Sequence, residues 1–311
     1  MTEPGQGGTG PLARIRTGEQ ARSGPARVSV VIATRDRRDG VLTTVGRLRA
    51  LPERPPVIVV DNASSDGTAD AARAAHADAT VLRLPRNLGA VARNVGVARA
   101  TTPYVAFADD DSWWQPGALA TAVAHFDSCP RLALLAARVL VGDDLRIDAT
   151  SALMRSSPLP RPPDLPGPAV LGFLACGAIV RRDAFLGAGG FSSLLHFLGE
   201  EAMLAYDLAA AGWALAYADD VVAEHHPSTV VRESAARRRL HARNDLLTTW
   251  LRRPLPVAIA ATGRLARRGA RDAAARGALA DVLRGAPDVA ARRSVVPSWL
   301  ESQLRTLRPD G

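Results

Sequence analysis

The chain has 311 residues, with 39 basic and 31 acidic side chains for a formal net charge of +8. Hydrophobic residues at 47% and charged ones at 23% suit a folded chain with a sizeable core, which excludes global disorder. The longest apolar stretch, Ala169 to Val180, falls short of the ~20 residues that span a bilayer, so no transmembrane helix is predicted.

In chain order, residues 1–27 are rich in Gly, Pro, Thr and Arg without periodicity and read as a mobile arm. They lack the apolar core of a secretory signal. Val28–Ala33 is a β-branched run, read as a buried strand. Leu42–Leu51 has helical spacing and stops before Pro52. Val57–Val60 reads as a second strand, Thr68–Ala77 as a helix and Thr80–Leu84 as a third strand. Asn87–Ala100 reads as another helix and Tyr104–Ala108 as a fourth strand. This β-α alternation predicts an α/β fold with a doubly wound, mostly parallel sheet that binds ligands at the carboxyl ends of its strands. A helix follows Pro116 to about Asp127, then an apolar segment Leu132–Val141. Ser157–Pro168, with six prolines, is a loop, and Ala169–Val180 is apolar and buried. Arg181–Gly189 and Glu200–Ala211 read as helices. Trp213–Tyr217 with Val221–Ala223 reads as strand, and the chain is helical and arginine-rich from Val231 onward.

The charge is unevenly placed. Residues 28–228 hold 18 arginines against 22 acids, for −4, whereas residues 229–311 hold 17 arginines against seven acids, for +10. All the basic residues are arginine, which fits a codon bias. An acidic body argues against nucleic-acid binding, which calls for a basic groove. The basic tail is either solvated or in contact with anionic lipid headgroups. Two cysteines, Cys129 and Cys176, make neither a disulfide framework nor a metal motif, so a reducing, cytoplasmic setting is expected.

Candidate chemistry gathers at the ends of the predicted strands. Asp109-Asp110-Asp111 directly follows the fourth, where alternate carboxylates can share a hard divalent cation, Mg²⁺ or Mn²⁺, with substrate phosphates. Asp61 ends the second strand, placed either to accept hydrogen bonds from a ribose or base or to close an Asx-turn. Thr34, after the first, caps a turn or contacts a base. No GxGxxG follows any strand, which weakens a dehydrogenase reading. Glu200-Glu201 opens a helix, where the dipole favours acids and where a carboxylate can serve as general base. His225-His226 precedes Pro227, and imidazole near a metal–diphosphate site binds either the ion or a phosphate oxygen.

The pieces VSVVIATRDR, VIVVDNASSDGT, RNLGAVARNVG, YVAFADDDSWWQPGAL, RRDAFLGAGGF, GEEAMLAYDLAAAG and AEHHPS occur in this order between Val28 and about Ser228. Together they resemble the family 2 inverting glycosyltransferases of GT-A fold. The resemblance implies a catalytic domain over 28–228 and a basic helical extension over 229–311. It implies a nucleoside-diphosphate sugar donor and a glycan, lipid-linked or small-molecule acceptor. It places Thr34 and Asp61 at the nucleobase and ribose, with Arg93 also on the nucleotide. Asp111 becomes the direct metal ligand, with Asp109 beside it, and Asp109 or Asp110 holds ribose, donor sugar or an ordered water. Glu201 falls at the position of the catalytic base, with Glu200 as the fallback, and His226 stabilises the leaving diphosphate. Trp113 and Trp114 either stack on a sugar or pack in the core. The family carries Glu-Asp where this chain has Glu-Glu, the one feature favouring a catalytically silent nucleotide-binding module. A nucleotidyltransferase would need a glycine- and lysine-bearing loop after the first strand, and Thr34–Arg38 has neither. Acceptor contacts are expected from the proline-rich loop and the tail.

Overall fold

Apolar runs without alternation call for strands covered on both faces, and three of the first four strands form in that way, the third lying half-exposed at the sheet edge. The computed structural model describes residues 25–227 and 234–307. Most of the expected arm, residues 1–24, lies outside the described residues, as do 228–233 and 308–311. Strands β1 (Val28–Thr34), β2 (Val57–Asp61), β3 (Thr80–Arg83) and β4 (Tyr104–Ala108) are parallel in the order β3-β2-β1-β4. Helices α1 (Arg38–Arg49), α2 (Thr68–Ala75) and α3 (Val91–Arg99) make the crossovers. Val30, Ile32 and Val59 pack on Val41, Val45 and Leu48 of α1 on one side of the sheet. Val31, Val60 and Phe107 face the other side, with Ala92 and Val97 of α3. A Cβ at Gly96 would lie 2.4 Å from Val31 Cγ1, so glycine lets α3 sit this close. Helix α3 begins later than its predicted Asn87. The Asn87 side chain instead accepts a hydrogen bond from Gly89 N–H (2.9 Å) in a turn where Gly89 has φ +61°.

The remaining elements are β5 (Ser112–Trp114), α4 (Ala118–Ser128), β6 (Leu132–Val141), β7 (Arg146–Ile147), α5 (Ala149–Arg155), β8 (Ala178–Arg181), α6 (Arg182–Gly187), α7 (Glu200–Ala210) and β9 (Ala214–His225). They extend the sheet from β4 in the order β8-β6-β9-β5, with β7 beside β6. Strand β8 is antiparallel to β4 and β6, β6 and β9 are parallel, and β5 runs antiparallel to β9. The sheet is therefore parallel in its first half and mixed in its second, between helical layers. Of the apolar segment Ala169–Val180, only the end is strand. The two runs expected around 213–223 join in one long β9, whose register against β6 shifts between Ala137 and Arg138. Residues 157–168 form neither helix nor strand, as six prolines require, and bury Leu159 and Leu165.

The tail folds into α8 (Ala235–Arg252), α9 (Leu255–Gly269), α10 (Ala273–Arg284), α11 (Ala286–Arg292) and α12 (Ser298–Leu307). Leu246, Leu247 and Leu251 of α8 share a core with Leu265, Ala278 and Val282. Helix α12 then returns to the sheet, where Leu300 and Leu304 join the core over Phe173 and Leu204. Arg253 pairs with Glu301 through two buried hydrogen bonds of 3.0 and 2.8 Å, and Arg252 reaches Asp207 on α7. Among the described residues no helix is long and apolar enough to cross a membrane.

Candidate functional site

The parallel half of the sheet ends where β4 gives way to the three aspartates, and these carboxylates take different partners. Asp109 accepts a charge-assisted hydrogen bond from Arg93. Asp110 accepts from Thr34 Oγ1 (2.7 Å) and Arg37 Nε (3.0 Å). Asp111 accepts from Arg37 (3.3 Å) and lies 3.3 Å from His225 Nε2. Asp109, Asp111 and His225 each offer a donor atom within 4.8 Å of the others, a set suited to one divalent cation. Asp110 turns away from this group. Burial raises its pKa despite the opposing hydrogen bonds from Thr34 and Arg37. The hydrogen bond to Asp111 raises the pKa of His225 against the opposing effect of burial.

A strand invisible in the sequence brings His225 here. The short β5 pairs Ser112 with His225 and Trp113 with Glu224, which draws the end of β9 alongside the aspartates. Successive side chains then point to opposite faces. His225 turns to Asp111, whereas His226 stacks on Trp113 with ring centroids 4.5 Å apart and lies 3.0 Å from Glu224. The structure thus brings His225, and not the predicted His226, into the cluster. Trp113 is occupied by that stack, with the Arg47 guanidinium also over its ring, and Trp114 is core, donating Nε1–H to the Phe107 carbonyl.

Arg93, hydrogen-bonded to Asp109, also lies within the electrostatic reach of the glutamate pair. Its guanidinium is buried, which pulls its pKa down, but Asp109, Glu200 and Glu201 outweigh that and hold it raised. Glu200 is 2% exposed, and its Oε2 has no hydrogen-bond partner among the described residues. Burial, then the neighbouring Glu201 charge, pushes Glu200 up to about 7. Burial also raises Glu201, which opens onto a cavity. The sign of the Glu200 shift fixes a pH effect. Its folded pKa lies above the unfolded one, so its contribution to stability is full below about pH 4.5 and is lost as pH rises through 7. Glu200→Gln is therefore expected to be more stable than the parent by roughly 2–3 kcal/mol at pH 8 and to show little difference at pH 4. Urea unfolding at the two pH values checks this, and an equal difference at both would contradict it.

The loop before α7 needs outside support. His196 (φ +60°) and Leu198 (φ +70°) occupy the left-handed region that side chains other than glycine rarely adopt. Asn244 of α8, 1% exposed, holds them by placing its Nδ2 within 2.8 Å of the Leu195, Phe197 and Leu198 carbonyls. Nothing local marks this residue, because the carbonyls it meets belong to a distant loop. Asn244→Ala would remove two N–H donors shared by three carbonyls, of which the Leu195 contact is fully buried, and a loss of about 1–3 kcal/mol is expected by thermal or urea unfolding. A cost below about 0.5 kcal/mol, the size of an ordinary surface substitution, would show the clamp to be incidental.

Asp61 is fully buried at the end of β2. Both its carboxylate oxygens accept from Ser64 N–H (3.3 and 3.4 Å), three residues on and so one residue beyond the Asx-turn pattern, and Arg83 lies 3.8 Å away. Thr34 is equally engaged, with Asp110. Cys129 and Cys176 are buried free thiols whose pKa values burial raises.

The sheet, parallel in its first half and mixed in its second between helical layers, is of the GT-A class, the fold it shares with the solved glycosyltransferases below. Residues 29–187, about half of the chain, match the family described as Glycosyl transferase family 2, and residues 172–262 match Glycosyl transferase family 21. The chain belongs to glycosyltransferase family 2. It is 34% identical over 227 residues to the pre-mycofactocin glycosyltransferase of Mycobacterium tuberculosis (strain CDC 1551 / Oshkosh), covering 70% of this chain and 47% of that protein. The chain thus spans about half the length of that relative. The mannosyltransferase PcManGT from Pyrobaculum calidifontis, in complex with GDP-Man and Mn²⁺, shares the fold with a TM-score of 0.56 at 21% identity, over 91% of this chain and 81% of that one. S. aureus TarS 1–349 in complex with UDP-GlcNAc does so with a TM-score of 0.55 at 17% identity, over 71% and 66%.

Proposed function

We propose that the chain is a metal-dependent, inverting glycosyltransferase that moves a sugar from a nucleoside diphosphate to an acceptor hydroxyl. The observation that carries this reading is the convergence, around buried Arg93, of a cation-suited Asp109–Asp111–His225 group with a glutamate pair of raised pKa. Two carboxylates and an imidazole fit a divalent ion, and the nitrogen donor favours Mn²⁺ over Mg²⁺. When bound, that ion supplies positive charge to the diphosphate of the donor. The donors in the PcManGT and TarS complexes, GDP-Man and UDP-GlcNAc, support this donor class.

In this reading Glu201 takes the proton of the acceptor hydroxyl. The oxygen attacks the anomeric carbon from the face opposite the diphosphate, the carbon–oxygen bond to phosphate breaks, and configuration inverts. Glu201 suits this role better than Glu200 because it faces a cavity, whereas Glu200 is sealed beside Arg93. Arg93 holds Asp109 in place and offsets the negative charge that the glutamates concentrate. His225 assumes the place expected of His226 next to the diphosphate. Release of nucleoside diphosphate from UDP- and GDP-sugars, with Mn²⁺ and with a chelator, tests the reading. The absence of release from every donor with Mn²⁺ present would sink it.

The tail's contact with anionic lipid, also proposed, is supported by α9, whose exposed Leu255 and Ile259 precede Arg264, Arg267 and Arg268. Greater co-sedimentation with anionic than with neutral vesicles is expected, and equal recovery would remove it.

A further inference from the structure

Beside Glu201 lies a cavity of about 330 Å³, at the small end of the ~300–1,000 Å³ usual for small-molecule pockets. Its walls come from four separated parts of the chain. They are Met154 of α5, Leu171 and Phe173 before β8, Tyr206 of α7, and Leu304 and Leu307 of α12. His241 and Asp245 of α8, about half exposed and 3.4 Å apart, mark the solvent side. Gly172 also lines the cavity, and a Cβ built on it would meet nothing within 4 Å, so open space adjoins the backbone there.

We propose that this cavity is the acceptor subsite, and that it takes an alcohol carried on a compact apolar body rather than a free oligosaccharide. The inference rests on the transferase reading above. The argument is one of polar satisfaction. An oligosaccharide presents hydroxyls on every face, and the polar lining offers few partners for them: Ser157 donates to the Ala169 carbonyl and His241 pairs with Asp245, while leucine, phenylalanine and methionine side chains make up most of the rest. A single hydroxyl on an apolar body leaves one polar group to satisfy, and the Glu201 carboxylate meets it at the wall where the proton must be taken. Helix α12 supplies two of the wall residues, so the C-terminal helices take part in acceptor choice.

The test uses the full chain with Mn²⁺ and whichever sugar nucleotide it hydrolyses. Its probes are benzyl alcohol, 4-biphenylmethanol and cellotriose. Transfer to 4-biphenylmethanol is expected to exceed transfer to cellotriose by at least about tenfold in kcat/KM, with benzyl alcohol between them. One tenfold step corresponds to about 1.4 kcal/mol of discrimination, within reach of a few buried methylenes. Gly172→Leu, with Leu307→Gln as a second variant of the same wall, should lower transfer to 4-biphenylmethanol about tenfold while leaving nucleoside-diphosphate affinity unchanged. Ligand-observed NMR of 4-biphenylmethanol reads the cavity without turnover, and its signal should weaken in both variants. Cellotriose accepted as well as the aryl alcohol, or both variants behaving like the parent chain, would overturn the inference. Binding of 4-biphenylmethanol without any donor turnover would uphold the apolar cavity and overturn the transferase reading instead.

Discussion

Glu201→Gln is expected to lower sugar transfer by about 10³-fold, within the 10²–10⁴ that a positioned general base contributes. Nucleoside-diphosphate affinity should stay within about twofold of the parent value, since the amide retains size and polarity. The expectation follows from where α7 begins. Gly199, at φ +83°, turns the chain into the helix, so that both glutamates sit in its first turn. There the helix dipole favours the ionised carboxylate while burial opposes it. Burial wins at both positions. A base with a raised pKa must still be ionised to act, so transfer should rise with pH across a range above that of an ordinary carboxylate. A variant that keeps more than about a tenth of parental transfer would move the base elsewhere, because a tenfold loss is below the range for general-base removal.

Asp111→Asn is the second large expected effect. Asp111 stands between the imidazole of His225 and the guanidinium of Arg37, and it is one of the two carboxylates in the cation-suited group. Halving the carboxylate count should weaken Mn²⁺ binding and cut transfer by about 10²–10³-fold, the several kcal/mol that charge neutralisation by an ion supplies. Asp110→Asn makes the matched control. That carboxylate is spent on Thr34 and Arg37, so its loss should act mainly on stability and leave Mn²⁺ dependence in place. Equal loss of Mn²⁺ dependence in both variants would contradict the division of roles.

The first half of the fold was legible because burial on both faces turns β1, β2 and β4 into unbroken apolar runs, and crossover helices follow them at regular spacing. The positions of Thr34, Asp61 and the aspartate triplet at the strand ends follow for the same reason, each standing where such a run ends. What escaped depends on pairing between distant segments. Three residues, Ser112–Trp114, are too few to register as a strand, yet their pairing with β9 decides which of two adjacent histidines faces Asp111. Side-chain alternation at the end of β9, where His225 is the last strand residue, separates it from His226. Asn244 escaped because its partners are backbone carbonyls, which leave no mark in the sequence of α8. The return of α12 to the sheet was equally hidden, since Leu300 and Leu304 would fit any amphipathic helix.

The most direct measurement of the central claim is a calorimetric titration of nucleoside diphosphate into the full chain, with Mn²⁺ and with a chelator. If Asp109, Asp111 and His225 hold an ion that grips the diphosphate, affinity should be at least about tenfold higher with Mn²⁺, equivalent to about 1.4 kcal/mol. That gain should vanish in Asp111→Asn. Binding of equal strength in the chelator, or a gain that survives the substitution, would contradict the account.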